Sequence, residues 1–317
     1  MIRILGVSTV LLASISAALA QPGPTHTENV TVTGTKSREV VEKFVASFAV
    51  PTRMTGKVAR WEDGVCPVTV GQRPAIASIV TQRVKDLAAF AGAPVNPSQT
   101  CKPNIEIVFT STPQELLNNV RAHDADYLGF AETSRERDRL AMVVRPIQAW
   151  YTTQTRDLHG FNRVDSGDHR GAGLAMSNFT AASPCRGCVT DYTRTFYLPS
   201  ATKAQVTGNR VADGVRSAFY HVLIVADPSK LQEHGIGPLA DYIAFLALTQ
   251  LSSLDTCQPL PSIENLLAKD CEPKTDMLTK NDAAYLRGLY QMNADRRLLA
   301  TQKTEIADGM MKMLDGQ

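Results

Sequence analysis

Apolar residues recur along this chain at two spacings, and each change of spacing marks an element. Val40, Val41, Phe44, Val45 and Phe48 form one helical stripe, opened by Ser37 and closed before Pro51. Ile76, Ile79, Val80, Val84, Leu87, Ala88 and Ala91 keep the period of a helix over 74–91, which Gly92 and Pro94 stop. A compact apolar run at 105–110 predicts a strand, and 113–121 a helix begun by Thr112 and a first-turn proline. A short helix at 134–140 comes before a strand over 146–154, with Ile147, Ala149 and Tyr151 on one face. The stretch 218–226 is β-branched and apolar, a central strand with His221 in phase with Phe219, Leu223 and Val225 and opposite Tyr220, Val222 and Ile224.

The helix expected over 237–251 is apolar on nearly every side from Leu239 to Leu248. Exposing it would forfeit roughly 1.5–3 kcal/mol per large side chain, so it belongs in the middle of a domain. Thr279 then caps a helix with Asp282 one turn on and Ala283, Leu286 and Leu289 at helical spacing, and an amphipathic helix over 294–314 ends the chain. The long polar stretch 155–192, rich in Gly, Asp, Ser and Asn, has the length at which loops are usually functional or disordered, and 193–198 reads as a strand. There is no internal repeat and no linker composition. The expected organisation is one α+β domain over 37–317, with a subdivision conceivable near 155–192.

The first residues act as an address. Residues 1–20 carry one positive residue, Arg3, an apolar run and the ending Ala18-Leu19-Ala20, the pattern of a secretory signal peptide cleaved before Gln21. Residues 21–36 read as a flexible leader. No later stretch reaches the roughly 18 apolar residues of a membrane span. The expected location is the periplasm or the exterior, with an unidentified envelope or extracellular ligand or protein as partner. Without Arg3 the chain carries 32 basic and 31 acidic residues, interspersed rather than blocked, which makes nucleic acid a poor partner.

All six cysteines follow the cleavage point: Cys66, Cys101, Cys185, Cys188, Cys257 and Cys271. In an oxidising compartment they read as three disulfides, with fifteen conceivable pairings. Short loops favour Cys185–Cys188 and Cys257–Cys271, which leaves Cys66–Cys101. That last bridge closes a loop worth roughly 3–4 kcal/mol in the chain-entropy picture. The Cys185-x-x-Cys188 spacing also suits thioredoxin-like redox chemistry, but a strand-like run follows it rather than a helix start.

Candidate chemistry is sparse. No two of the six histidines stand four apart. A loop site could be assembled from His159, Asp165, Asp168 and His169, although polar loops are more often simply solvated. His221 on the central strand reads first as a buried, hydrogen-bonded histidine. Neither Gly-x-Ser-x-Gly nor a phosphate-cradling glycine loop is present. Asp241, an acid inside an apolar helix, needs a partner, for which an arginine or the helix N-terminus would serve.

Strand, buried helix, loop and capped helix in this order resemble the core of the zincin metallopeptidases. Leu278-Thr279-x-x-Asp282 and Leu289-Tyr290 fit the tail of that core, and Ser262-Ile263 stands where many metallopeptidases have Ser-Ile-Met, with Glu264 in place of the methionine. The resemblance implies a twisted sheet packed on the central helix, with extra helices at both ends. It also puts Ala240 and Ala244 on the two zinc-histidine positions and Asp241 on the glutamate. Alanine offers no lone pair, so zinc peptidase chemistry is lost. The reading is an exported, non-catalytic binding or scaffold protein without metal or cofactor. The alternatives are a hydrolase with its site in 155–192 and a purely structural envelope protein.

Overall fold

Short apolar strands alternating with amphipathic helices build a five-stranded mixed sheet with helices on both of its faces. The computed structural model describes residues 38–98, 100–157, 162–165, 212–251, 257–268, 270–272 and 274–316, all within the unit Lys36–Gln317. The signal peptide, the leader, the Ser37 cap, the strand at 193–198, Cys185, Cys188, His159, Asp168 and His169 lie outside the described residues.

Helix α1 (Arg38–Phe48) is followed by strand β1 (Pro67–Val70), helix α2 (Pro74–Ala91) and strand β2 (Ile105–Phe109). Helices α3 (Pro113–His123) and α4 (Ser134–Leu140) come next, then strands β3 (Ile147–Arg156), β4 (Asn162–Val164) and β5 (Arg216–Ala226). Helices α5 (Ile236–Leu248), α6 (Lys280–Gln291) and α7 (Leu299–Asp315) complete the described chain. The sheet order is β1-β2-β5-β3-β4, with β1, β2 and β5 parallel and β3 antiparallel to both of its neighbours. Helix α2 begins with Pro74, whose missing N–H costs nothing at that position, and ends at Gly92 with φ 91°, a left-handed cap that favours glycine.

Two cores flank the sheet. The larger takes Ile105 and Ile107 from β2, Val222 and Ile224 from β5, and the buried faces of α1, α2, α5, α6 and α7. The smaller takes Leu223 and Val225 from β5, Trp150 from β3 and Leu117 from α3. Strand β3 keeps the expected alternation, with Ile147, Ala149 and Tyr151 toward the larger core. Strand β5 does not. Thr152 pairs with His221 and Thr153 with Phe219, so Tyr220 is an inserted bulge residue. The bulge turns Phe219 into the larger core beside Trp61, ring centroids 5.5 Å apart. His221 therefore shares a face with Leu223 and Val225 but not with Phe219, a correction to the period-two expectation.

Helix α5 is buried from Leu239 to Leu248 without interruption and packs on α2, β5, β3 and the turn Ile263–Leu266. Its C-terminal end lies inside the protein, where the last carbonyls have no helical partner. Three aromatic side chains satisfy them. Tyr151 Oη donates to Leu246 O (2.9 Å), Trp61 Nε1 to Ala247 O (2.8 Å) and Tyr290 Oη to Leu248 O (3.0 Å). Burial pushes the Tyr151 and Tyr290 phenols up, so both stay protonated and able to donate. The helix stops at Leu248, short of the expected Leu251, where Thr249 turns to extended backbone and these donors take over the last carbonyls.

Helix α6 opens with a capping box in which Thr279 and Asp282 exchange hydrogen bonds. The last helix starts at Leu299 rather than Ala294. The residues before it form a turn in which Gln302 Nε2 donates to Ala294 O (3.2 Å) and Asn293 N donates to Glu305 Oε2 (2.9 Å). Disulfides join Cys257 to Cys271, a pairing favoured by its short loop, and Cys66 to Cys101, the pairing that remained. Such bridges persist in an oxidising compartment. No helix among the described residues is long and apolar enough to cross a membrane.

Replacing Tyr290 by Phe removes one hydroxyl and orphans the Leu248 carbonyl in the core. The expected cost is about 1–3 kcal/mol, read from urea unfolding of the variant against the parent protein. An unchanged midpoint would contradict the capping role.

Candidate functional site

Helix α5 presents two successive residues to two different depressions. Asp241 and Ala240 line a groove of about 600 Å³ between α2 and the start of α5, together with Ile79, Arg83, Pro238 and Met277. Tyr242 lines a cleft of about 350 Å³ with Arg145, Pro146, Ile147, Leu267 and the Cys257–Cys271 bridge. A step of one residue turns about 100° around a helix, which sends the two side chains to separate walls.

In the groove the acid has its partners. Arg83 Nε pairs with Asp241 Oδ1, and the Leu278 N–H donates to Asp241 Oδ2 at 2.8 Å. The carboxylate thus ties α2, α5 and the approach to α6 together. The helix N-terminus supplies neither bond. Ala240 is 2 % exposed at the groove floor, whereas Ala244 is fully buried in the larger core. Of Ala240, Asp241 and Ala244, the first two reach the groove and the third is sealed. Ile79 and Met277 stand exposed on the groove wall beside the ion pair, and Ser78, Gln82, Asp86 and Asp276 complete a mixed lining.

The Leu278-Thr279-x-x-Asp282 segment has a clear structural task. Asp282 is wholly buried and accepts from Ser262 Oγ (2.5 Å), Ile263 N (2.9 Å), Thr279 N (2.9 Å) and Thr279 Oγ1 (2.8 Å). One carboxylate therefore caps α6 and pins the turn Ile263–Leu266 against α5. Burial pushes this carboxyl up, and its hydrogen bonds to Ser262, Ile263 and Thr279 pull it back.

Glu264, two residues along the same turn, is in the opposite situation. It is 5 % exposed, and neither carboxyl oxygen makes a hydrogen bond among the described residues. Burial pushes it well above the usual carboxylate range, the Asp282 charge reinforces this, and Arg145 opposes it. Because Ser262, Ile263 and Thr279 donate to Asp282 and not to Glu264, Asp282 is the member of this pair that ionises more readily and Glu264 the one that holds its proton to higher pH. Burial pushes the Tyr242 and Tyr151 phenols well above their ordinary value, and the nearby Glu264 carboxyl adds to the effect.

The remaining candidates are dispersed. Asp165 is buried at the end of β4, accepting from Thr153 Oγ1 (2.7 Å) and Thr155 Oγ1 (2.8 Å), so it fastens the β3–β4 pair. Its proposed loop partners His159, Asp168 and His169 lie outside the described residues. His221 is 4 % exposed under the Tyr127 ring, 4.3 Å between centroids, with Glu106 Oε1 at 3.5 Å from Nε2. Neither ring nitrogen makes a hydrogen bond within the described residues, contrary to the satisfied histidine expected there. It sits on the sheet face away from α5, so it joins neither depression. Among the described residues no three His, Cys, Asp or Glu side chains converge as a metal would require.

Sequence reasoning missed Arg83, Arg145 and Glu264. Only Glu264 had left a signal, as an acid amid Leu and Ile in place of a methionine. The chain matches no protein-family model, no curated protein and no solved structure.

The unfolded chain releases the Glu264 proton near the ordinary value of about 4.3, whereas the folded protein keeps it to higher pH. The folded state then binds more protons, and stability falls as pH rises above the unfolded value. Glu264→Gln is expected to change stability little near about pH 4 and to raise it progressively above that, by up to about 1.4 kcal/mol per pH unit until the folded pKa is passed. Chemical denaturation of both proteins from acid to mildly alkaline pH checks this. Parallel pH profiles would contradict it.

Proposed function

We propose that this chain is an exported, non-catalytic binding protein on a zincin-like frame from which the zinc chemistry has gone. The observation that carries the reading is the state of α5 at the motif positions. Ala240 and Ala244 have no donor atoms for a metal, and the Asp241 carboxylate is committed to Arg83 and the Leu278 N–H. A carboxylate held on both oxygens is poorly placed to activate water, since a general base must first be free to take a proton. A mixed sheet lying against α5, and the Thr279–Asp282 capping box behind it, support the zincin-like frame.

What remains is a groove with exposed Ile79 and Met277 around a fixed ion pair, a surface suited to holding a ligand or partner rather than transforming it. Two disulfides and the N-terminal signal pattern support placement in the periplasm or outside the cell. The protein from Gln21, incubated with zinc, is expected to leave casein, gelatin and internally quenched peptides uncut above the blank. Turnover that disappears both on chelation and in Asp241→Asn would overturn the reading.

A further inference from the structure

The groove between α2 and the start of α5 keeps two large apolar side chains in water. Ile79 of α2 is 47 % exposed and Met277, in the segment before α6, is 63 % exposed, and both line the same space of about 600 Å³. Single exposed apolar residues are ordinary on a protein surface, but two in one groove of small-molecule size make a surface that a ligand would cover. The charges on the lining are unequal. Asp86, Asp241 and Asp276 stand against one guanidinium, Arg83, which is paired with Asp241. Two carboxylates are left over. Asp86 is exposed and takes a neutral donor, Gln82 Nε2 at 2.7 Å. Asp276 is exposed and makes no hydrogen bond or ion pair among the described residues.

We propose that this groove binds a small organic cation with an apolar body, its ammonium drawn to the Asp86 and Asp276 carboxylates and its hydrocarbon laid against Ile79 and Met277. The groove is the surface on which the binding-protein reading rests, so the ligand class rests on that reading too. An ammonium brings three N–H donors, and its charge offsets carboxylates that nothing else on the lining neutralises. An organic anion would face a wall of net negative charge and would have to compete with Asp241 for Arg83. An alcohol of the same shape would cover the apolar pair and leave both acids uncompensated. A metal ion would leave the apolar pair in water, and among the described residues no three acids converge to hold one. Gly237, at the positive end of α5, also reaches the groove and would favour an anion, which makes a carboxylate the sharpest competitor.

An NMR titration of the chain from Gln21, followed at the Ile79 and Met277 methyl signals, tests this with hexylamine, hexan-1-ol and hexanoate as probes. Hexylamine is expected to shift both signals saturably and to bind about fivefold more tightly than either of the others, a preference that shrinks as salt is raised. Asp86→Asn and Asp276→Asn together are expected to weaken hexylamine about tenfold and to leave hexan-1-ol unchanged, both positions being exposed. If the double variant fails to fold, the ranking of the three probes by the parent protein decides alone. Absence of a saturable shift at Ile79 and Met277, hexan-1-ol or hexanoate binding as tightly as hexylamine, or a folded double variant with unchanged hexylamine affinity would each overturn the proposal. Without zinc-dependent cleavage, such a result removes only the ligand class. Cleavage abolished by chelation removes the binding-protein reading itself.

Discussion

A helix with no polar face can sit only where protein covers it on every side, and then its own C-terminal carbonyls become the difficulty. Helix α5 meets that constraint with three long-range donors, Trp61, Tyr151 and Tyr290, each drawn from a different part of the chain. Trp61 comes from the segment before β1, Tyr151 from β3 and Tyr290 from the end of α6. The donors that satisfy the helix thereby hold sheet, N-terminal segment and C-terminal helix in place around it. Arg60, next to Trp61, repeats the device at the end of α6 by donating to Tyr290 O (3.0 Å) and Met292 O (2.7 Å). Burying a carbonyl without such a partner would cost about as much as a lost hydrogen bond.

Three acids near this helix have three different fates, set by which donors reach them. Asp241 takes a guanidinium and one N–H and becomes a joint between α2, α5 and the approach to α6. Asp282 collects four hydrogen bonds and becomes the fastening of the turn Ile263–Leu266. Glu264 is left with none among the described residues, and burial pushes its carboxyl well above the usual carboxylate range. Two of the acids support the frame.

Much of the frame was legible because helix signals are local. Periodicity and the Pro74 and Gly92 punctuation located α2 to the residue, and the Thr279–Asp282 pair announced the start of α6. The bulge at Tyr220 was not legible, since counting by twos assumes a strand with no inserted residue. The start of α7 was misplaced because Ala294 and Leu298 keep a helical spacing while Gln302 and Glu305 hold the intervening backbone in a turn. At the candidate sites, the sequence showed that Asp241 needed a partner, an arginine or the helix N-terminus, but not which, because Arg83 lies 158 residues away. Glu264 was visible as an acid among apolar neighbours. That Ser262, Ile263 and Thr279 would all donate to Asp282 depended on the tertiary arrangement.

The claim that Asp241 serves the frame and not a reaction rests on its pairing with Arg83. A double-mutant cycle with Arg83→Met and Asp241→Asn, read by urea unfolding, measures that pairing directly. The expected coupling is about 1–3 kcal/mol, larger than that of an exposed pair because Asp241 is mostly buried. Effects that add to within about 0.5 kcal/mol, or a protein stabilised by Asp241→Asn alone, would contradict the account.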